Sequence, residues 1–424
     1  MTEPVFDVAV VGAGVVGAAA ALEFARRGRR VALLDPEEPG LGCSFGNAGL
    51  IALDHVVPLA NPDTLAGAAA MLTHPLGPLR LNWTRLPALA PWLWLFARAS
   101  MPWRAQAHGD ALASLVTHAG AAWQRWLGRG VAAALHRDIG ALYVYESAQA
   151  LRRARRTTRA YDHYGVRYLE LDGDALRRDH LPGIAPHVRH ARYLPDMASV
   201  LDPHGVVRAF VDAATCGGAV LLRRSAVRVR PGAETVDIVD RQHRTLRARA
   251  AVLCAGVDTA ALLGELGWRL PLLRERGYHV ELRAGNDAGT PSLPVSFVER
   301  GFTCTPMRHA IRLAGTVELG AGEPHWARAD ILARHYAELF PGNRAEVTSR
   351  WFGDRPTLPD YLPAIGAVPG APGVFVATGH QHLGLTLAPL SAELVADAVD
   401  ARPGRLDLRP FDPARFARRQ RPPR

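Results

Sequence analysis

Six residues near the start of the chain, Gly12-Ala13-Gly14-Val15-Val16-Gly17, constrain its fold more than any other feature. Before them, the apolar run Val5 to Val11 reads as a buried strand. After them, Ala18 to Arg27 has helical composition, Gly28 ends the helix, and Arg30 to Leu34 reads as a second strand closing on Asp35. Each glycine has a mechanical reason. Gly12 permits a tight turn, Gly14 lets the backbone approach a pyrophosphate, and Gly17 lets the helix lie close to the strand. The N-terminus of that helix offers free N–H groups and a positive dipole end to phosphates. Asp35, 18 residues beyond Gly17, is placed to accept ribose hydroxyls, and its charge disfavours a 2′-phosphate. A lone glycine motif is weak; strand, loop, helix, strand and acid in this order specify a nucleotide-binding unit.

Other segments point to a ligand longer than NAD. A second loop, Gly40-Leu41-Gly42-Cys43-Ser44-Phe45-Gly46-Asn47-Ala48-Gly49, follows Asp35 almost at once. Its small residues and its hydrogen-bonding side chains Ser44 and Asn47, with Ala48 and Gly49, suit close passage along an extended cofactor. The strand-like run Leu246 to Leu253 ends in Cys254-Ala255-Gly256, a further turn able to approach a nucleotide. Near the C-terminus, a strand at Val374 to Ala377 leads through Thr378-Gly379-His380-Gln381-His382-Leu383-Gly384-Leu385-Thr386 into a helix reaching about Val399. This places a second helix N-terminus behind a glycine loop, which suits the negative charge of a reduced flavin; a plain helix cap is the simpler alternative. The expected cofactor is FAD.

Composition removes competing chemistries. All fifty basic residues are arginine, so a P-loop phosphate site and a Schiff-base enzyme, both of which need lysine, are unavailable. The net charge of +10 is spread out, and its dense run (Arg418, Arg419, Arg421, Arg424) reads as a solvated terminus, so no nucleic-acid partner is expected. Cys43, Cys216, Cys254 and Cys304 are too scattered for a zinc site or disulfide framework, and no metal is expected. A reducing, cytoplasmic setting fits this usage and the early arrival of the first strand, with no leader before it. From Leu86 to Met101 an apolar stretch carries Trp92, Trp94 and Phe96 but is broken by Pro87, Pro91 and Arg98. It reads as buried packing or, over residues 86–103, as a peripheral contact with a partner or the inner face of a membrane. At 424 residues two domains are the default.

The sequence resembles the D-amino-acid oxidase superfamily and, within it, the bacterial D-amino acid dehydrogenases. The resemblance rests on the N-terminal fingerprint, Ser44 to Gly49, Leu201-Asp202-Pro203, Arg276-Gly277-Tyr278-His279, Gly315-Thr316-Val317-Glu318, Arg355-Pro356 with Asp360, and Thr378-Gly379-His380 with Leu383-Gly384. Phe45 to Gly49, Val57-Pro58-Leu59-Ala60 and Glu275 to His279 are most similar to D-hydroxyproline dehydrogenases. The resemblance implies a Rossmann-type α/β FAD-binding domain (1–75, 199–265, 353–424) interleaved with an α+β substrate domain on an antiparallel sheet (76–198, 266–352). An amphipathic helix is expected over Asp202 to Thr215, and a strand from Val220 to Val229, passing near the adenine at Val227. Covalent flavin attachment in relatives uses a histidine or cysteine at places where this chain has neither, so non-covalent FAD is implied.

Oxidising an amino acid at its α-carbon requires the α-hydrogen to face flavin N5, a cation for the carboxylate, and an amine that has lost its proton; the flavin carries the redox chemistry. Arg355 is the carboxylate clamp the resemblance implies, suited by its planar guanidinium. Tyr278 and His279 either line the substrate cavity or pack in the core. His55 and His382 either relay the amine proton or are ordinary histidines. The leading expectation is a dehydrogenase of a D-amino acid or cyclic imino acid, D-proline and cis-4-hydroxy-D-proline included, passing electrons to a quinone or similar acceptor. An oxidase of glycine or sarcosine type and a flavin-carrying subunit of a larger complex are the alternatives.

Overall fold

The computed structural model describes residues 5–72, 76–283, 290–320, 322–343 and 345–417. The arginines at 418, 419, 421 and 424 lie outside them. Five parallel strands form the heart of the first sheet, in the order Val220–Arg223, Val31–Asp35, Phe6–Val11, Thr245–Leu253, Val374–Thr378. Apart from the edge strand Val220–Arg223, they are buried on both faces and need near-continuous apolar runs, and Val8, Ala9, Val10, Val31, Ala32, Leu33 and Ala251 to Leu253 supply them. Helix Val15–Arg26 packs on two other helices, Pro203–Cys216 and Gly384–Val399. The run Ala18 to Ala21 has no exposed surface and lets those backbones come close.

The second sheet runs Val347–Thr357, Leu273–Arg283, Ala310–Leu319, Phe302–Pro306, Val295–Phe297, Ala141–Tyr145, His190–Leu194, Leu169–Asp172, with Leu79–Leu81 joining Ala310–Leu319. It is antiparallel except where distant segments meet: Leu79–Leu81 and Val295–Phe297 each pair in parallel with a strand from another part of the chain. Helix Ala327–Leu339 covers one face, closing a core of Tyr278, Val280, Leu282, Leu313, Leu332, Tyr336 and Phe340. A small sheet of Leu50–Ile51, Ala198–Val200 and His136–Arg137 sits where the cofactor-loop segment returns to the body.

One expectation changes in detail. The single strand from Val220 to Val229 is two, Val220–Arg223 and Ala226–Pro231, because Arg224 turns away: its N–H donates to Asp35 C=O at 3.2 Å. The Trp-rich stretch is a helix, Leu86–Ala99, that continues through Pro91, whose missing N–H costs one bond in the opening turns. It is only half buried. Leu89, Trp92 and Ala99, at helical spacing, face inward, whereas Trp94 is 60% exposed. Among the described residues no helix is long and apolar enough to cross a membrane.

Candidate active site

The N-terminal loop is shaped as a backbone cradle. Gly12 has φ +102°, and a Cβ there would lie 2.6 Å from the Cys254 carbonyl oxygen; one at Gly17 would lie 1.8 Å from Gly12 O. Neither position has room for a side chain, so helix and strand meet at backbone distance. Gly14 stands beside Ser44, whose Oγ accepts the Val15 N–H at 2.9 Å, while Val16 and Gly17 occupy the first turn, where N–H groups lack intrahelical partners. Asp35 accepts from Ala13 N–H (2.7 Å) and Glu37 N–H (2.9 Å); burial raises its pKa, and the two amides oppose that. Its remaining lone pairs are open to hydroxyl donors. Val227, in strand Ala226–Pro231, is 40% exposed. Ala255 and Gly256 (φ +55°) turn next to Gly12, and Gly256 C=O accepts from Thr378 Oγ1 at 3.0 Å.

From the other end of the chain, Gly379 (φ +78°) and a short turn at Gln381–Leu383 lead into helix Gly384–Val399. Gly384 lies against Val15, so the N-termini of the two helices converge. Leu383 and Leu385 are buried. The Thr386 hydroxyl accepts from Ala52 N–H at 2.9 Å, and its carbonyl accepts from Trp123 Nε1 at 3.0 Å, so its side chain ties the second loop down. In that loop, Asn47 Oδ1 accepts Gly49 N–H at 2.7 Å, Gly49 has φ +75°, and Ala48 is half-buried between them. Arg312, on the second sheet, donates to the carbonyls of Phe45 (2.9 Å) and Asn47 (2.8 Å) and pairs with Glu281. His279 Nδ1 lies 3.3 Å from Gly46 O and its ring stacks on Trp351. A Cβ on Gly46 would fall 1.9 Å from the Trp351 ring. The second sheet therefore grips the cofactor loop.

Strand Leu273–Arg283 sorts the candidates by parity, because successive side chains point to opposite faces. Glu275, Gly277 and His279 pair with Arg355, Gly353 and Trp351 on the face that meets the loop. Arg276 and Tyr278 pair with Asp354 and Phe352 on the other. Tyr278 is thus not brought to the site. Its hydroxyl donates to Glu318 (2.6 Å) and accepts from His325 N–H (3.0 Å) beneath helix Ala327–Leu339, and burial raises its pKa. His279 is on the right face but is 1% exposed and held neutral, its pKa lowered to about 4 by burial and then by Arg312. It fastens the loop.

Arg355, His382 and His55 do come together. The Arg355 guanidinium lies flat over Gly277, where a Cβ would sit 2.2 Å from its Nη2, and its Nη1 is 3.1 Å from Glu275 Oε1. His382 stands between two ion pairs: burial holds its pKa well below the usual value, followed by the charges of His55 and Arg355. Its ring meets that of His55 edge-on at 5.0 Å. His55 Nδ1 is 3.1 Å from Asp54 Oδ1; burial is the largest influence and opposes its protonation, but the Asp54 charge and hydrogen bond together exceed it and raise the pKa. Asp54 is itself buried and accepts from Tyr161 at 2.7 Å. Tyr143 also bonds to Asp54, and burial followed by that carboxylate keeps its hydroxyl protonated.

Sequence reasoning missed Asp54, Tyr143, Tyr161, Glu275, Arg312, Trp351 and Tyr361. Strand parity would have exposed Glu275 opposite Arg355 and Trp351 on the same face, and Asp54 is the neighbour of His55; the others lie far apart in sequence. All four cysteines are free, and burial pushes Cys43, beside Arg355 and Glu275, up to about 11, so it is an inert thiol.

The arrangement fits FAD on its own chemistry. Two glycine turns with no room for side chains, two converging helix N-termini and a carboxylate held by two amides suit the phosphates and ribose of such a cofactor. Gln381 Oε1 and His279 Nε2 are buried polar atoms without a protein partner.

Comparison with known proteins agrees. Residues 7–398 match the family described as FAD dependent oxidoreductase. A protein of Bradyrhizobium diazoefficiens named D-amino-acid oxidase is 32% identical over 96% of this chain and 98% of its own. One of Paramagnetospirillum magneticum named D-amino acid dehydrogenase is 29% identical over 95% and 96%. The crystal structure of glycine oxidase from Geobacillus kaustophilus superposes with a TM-score of 0.74 at 25% identity, over 97% of this chain and 99% of that one. With the cradle, the carboxylate and the matching span in hand, the chain belongs to the FAD-dependent oxidoreductase family and is an FAD-dependent enzyme.

Proposed function

We propose that the chain oxidises a D-amino acid at its α-carbon, with the substrate carboxylate on Arg355. The observation that carries this is the position of Arg355 on the sheet face that meets the cofactor loop, with neutral His382 beside it. Arg355 fixes the carboxylate end through the guanidinium edge not taken by Glu275. His382 accepts a hydrogen bond from the amine, which reacts in its neutral form after losing its proton to solvent, and the His55–Asp54 pair beside it holds the His382 ring in place. When bound, non-covalent FAD supplies the two-electron acceptor. In this reading residues 1–75, 199–265 and 353–424 form the cofactor domain, and 76–198 and 266–352 the substrate domain. The names of the relatives support a D-amino acid as substrate. D-proline and cis-4-hydroxy-D-proline are favoured by the Glu275 to His279 segment.

Electrons pass to a quinone or similar acceptor; the lack of lysine supports this over oxygen, since no lysine can stand beside the flavin. Residues 86–103 would meet the anionic membrane that holds such a quinone: Trp94 and Trp103 are exposed, and Arg98 stacks over Trp94 at 5.5 Å. The names D-amino-acid oxidase and glycine oxidase favour the second reading, direct reoxidation by oxygen. The deciding experiment adds a panel of D-amino acids, D-proline and cis-4-hydroxy-D-proline included, to the flavin-loaded protein without oxygen, then mixes it with O₂ or a quinone. Bleaching by at least one member and faster recovery with quinone is expected. No bleaching by any D-amino acid overturns the substrate class, and oxygen-driven recovery at the quinone rate overturns the acceptor.

A further inference from the structure

We infer that Glu275 is a built-in competitor for the substrate carboxylate: it holds one edge of Arg355 permanently and so sets how strongly that residue grips an anion. The inference rests on the reading of Arg355 as the carboxylate clamp and adds what limits it.

Glu275 is the direct cross-strand neighbour of Arg355. Its side chain is 2% exposed, and Oε1 lies 3.1 Å from Arg355 Nη1. Oε2 accepts from the Tyr361 hydroxyl at 2.8 Å. Burial, then the Glu275 charge, raises the Tyr361 pKa well above its usual value, so that hydroxyl remains a donor. Tyr361 is fixed in turn. It is 7% exposed, adopts φ +57°, and its carbonyl accepts from Gln381 Nε2 at 2.6 Å. Gln381 also has a positive φ, +46°. Two non-glycine residues in the left-handed region, bonded to each other, persist only where the surroundings over-determine them. The carboxylate is thus rigidly aimed.

Stability does not explain its charge. Burying a carboxylate beside one cation carries a desolvation cost that the pairing need not repay. A glutamine could accept from Arg355 through its oxygen and donate through its nitrogen to the Tyr361 oxygen, meeting both contacts without that cost. What glutamine would not do is offset half of the guanidinium's field. With Glu275 charged, an incoming carboxylate meets a cation already partly neutralised and leaves it more readily once the ligand has changed.

The probe is propanoate, which has the carboxylate and no amine, measured by equilibrium dialysis on flavin-loaded protein. Glu275→Gln is expected to bind it more tightly, on the order of ten-fold, because the negative charge on the other edge of the guanidinium is removed. Tyr361→Phe, which takes a stabilising donor from Glu275 and leaves its charge, is expected to weaken binding about two-fold; it carries the test should Glu275→Gln not fold. Arg355→Met separates the two readings. Unchanged propanoate binding in Arg355→Met defeats the clamp, and this inference with it. Loss of binding there, with unchanged or weaker binding in Glu275→Gln at full flavin content, overturns the role of Glu275 alone. A merely structural glutamate would lower the melting temperature and leave the dissociation constant where it was.

Discussion

Arg355 and the paired glycines show what a single residue decides in this protein. Arg355→Met should raise KM for the D-amino acid by an amount on the order of 2–5 kcal/mol, because a charged partner is lost from a half-enclosed site. Flavin absorbance should be retained, since the cradle is elsewhere; steady-state kinetics with a flavin spectrum checks both. Gly17→Val should do the reverse. With no room for even a Cβ beside Gly12 O, the helix must move off the strand, and the purified protein should lack bound flavin. Residues of this kind were legible in the sequence because backbone geometry restricts them to glycine at fixed spacing. Tyr278 and His279 were each left open between cavity lining and core. Neighbours on a strand face opposite ways, so only one of them could reach the cofactor side, and Tyr278 went to the core beneath a helix.

Among the elements, the loop from Ser44 to Gly49 depends most on another part of the chain. Three groups on the second sheet hold it: Arg312 through two carbonyls, His279 through Gly46, and Trp351 by lying against that glycine. Arg312→Met should weaken FAD binding by ten-fold or more, readable by titrating apoprotein, because two charge-assisted bonds and the Glu281 partner are lost together. The same latch is acid-labile. His279 is neutral in the folded chain, with its pKa lowered to about 4, and would titrate near 6.5 when unfolded. Its contribution is present above pH 6.5 and is lost as the pH falls towards 4, a swing on the order of 3 kcal/mol. His380, lowered to about 3 by burial, acts in the same direction. Melting temperature should therefore decline over that window, and less steeply in His279→Gln. The sequence announced the loop by its small residues. It could not announce the latch, because Arg312 is hundreds of residues away and one arginine among fifty carries no mark of its partner.

In the whole molecule, two sheets are assembled from alternating stretches of one chain. The parallel half was legible, since strands buried on both faces must be continuously apolar and their turns must carry glycine. The antiparallel half was visible only as short alternating runs, and its order depends on pairings such as Val295–Phe297 with Ala141–Tyr145 that no local pattern dictates. The half-exposed tryptophan helix belongs to this scale too. Trp83, Trp94 and Trp103 are 64%, 60% and 69% exposed, and replacing all three by serine should abolish sedimentation with anionic lipid vesicles while leaving the flavin spectrum intact. Sedimentation equal to the parent protein would remove the membrane from the proposal.

Facing each other across two adjacent strands, Gly277 and Gly353 make a bare patch on which a cation and an indole recline. The depth of the chamber above it is thus set by atoms that are missing. One methyl group at Gly277 would act as a shim under the guanidinium, and one at Gly353 would do the same under the Trp351 indole. With Arg355 as the proposed clamp, the height of the carboxylate seat is adjustable from the floor, by the smallest change the genetic code allows.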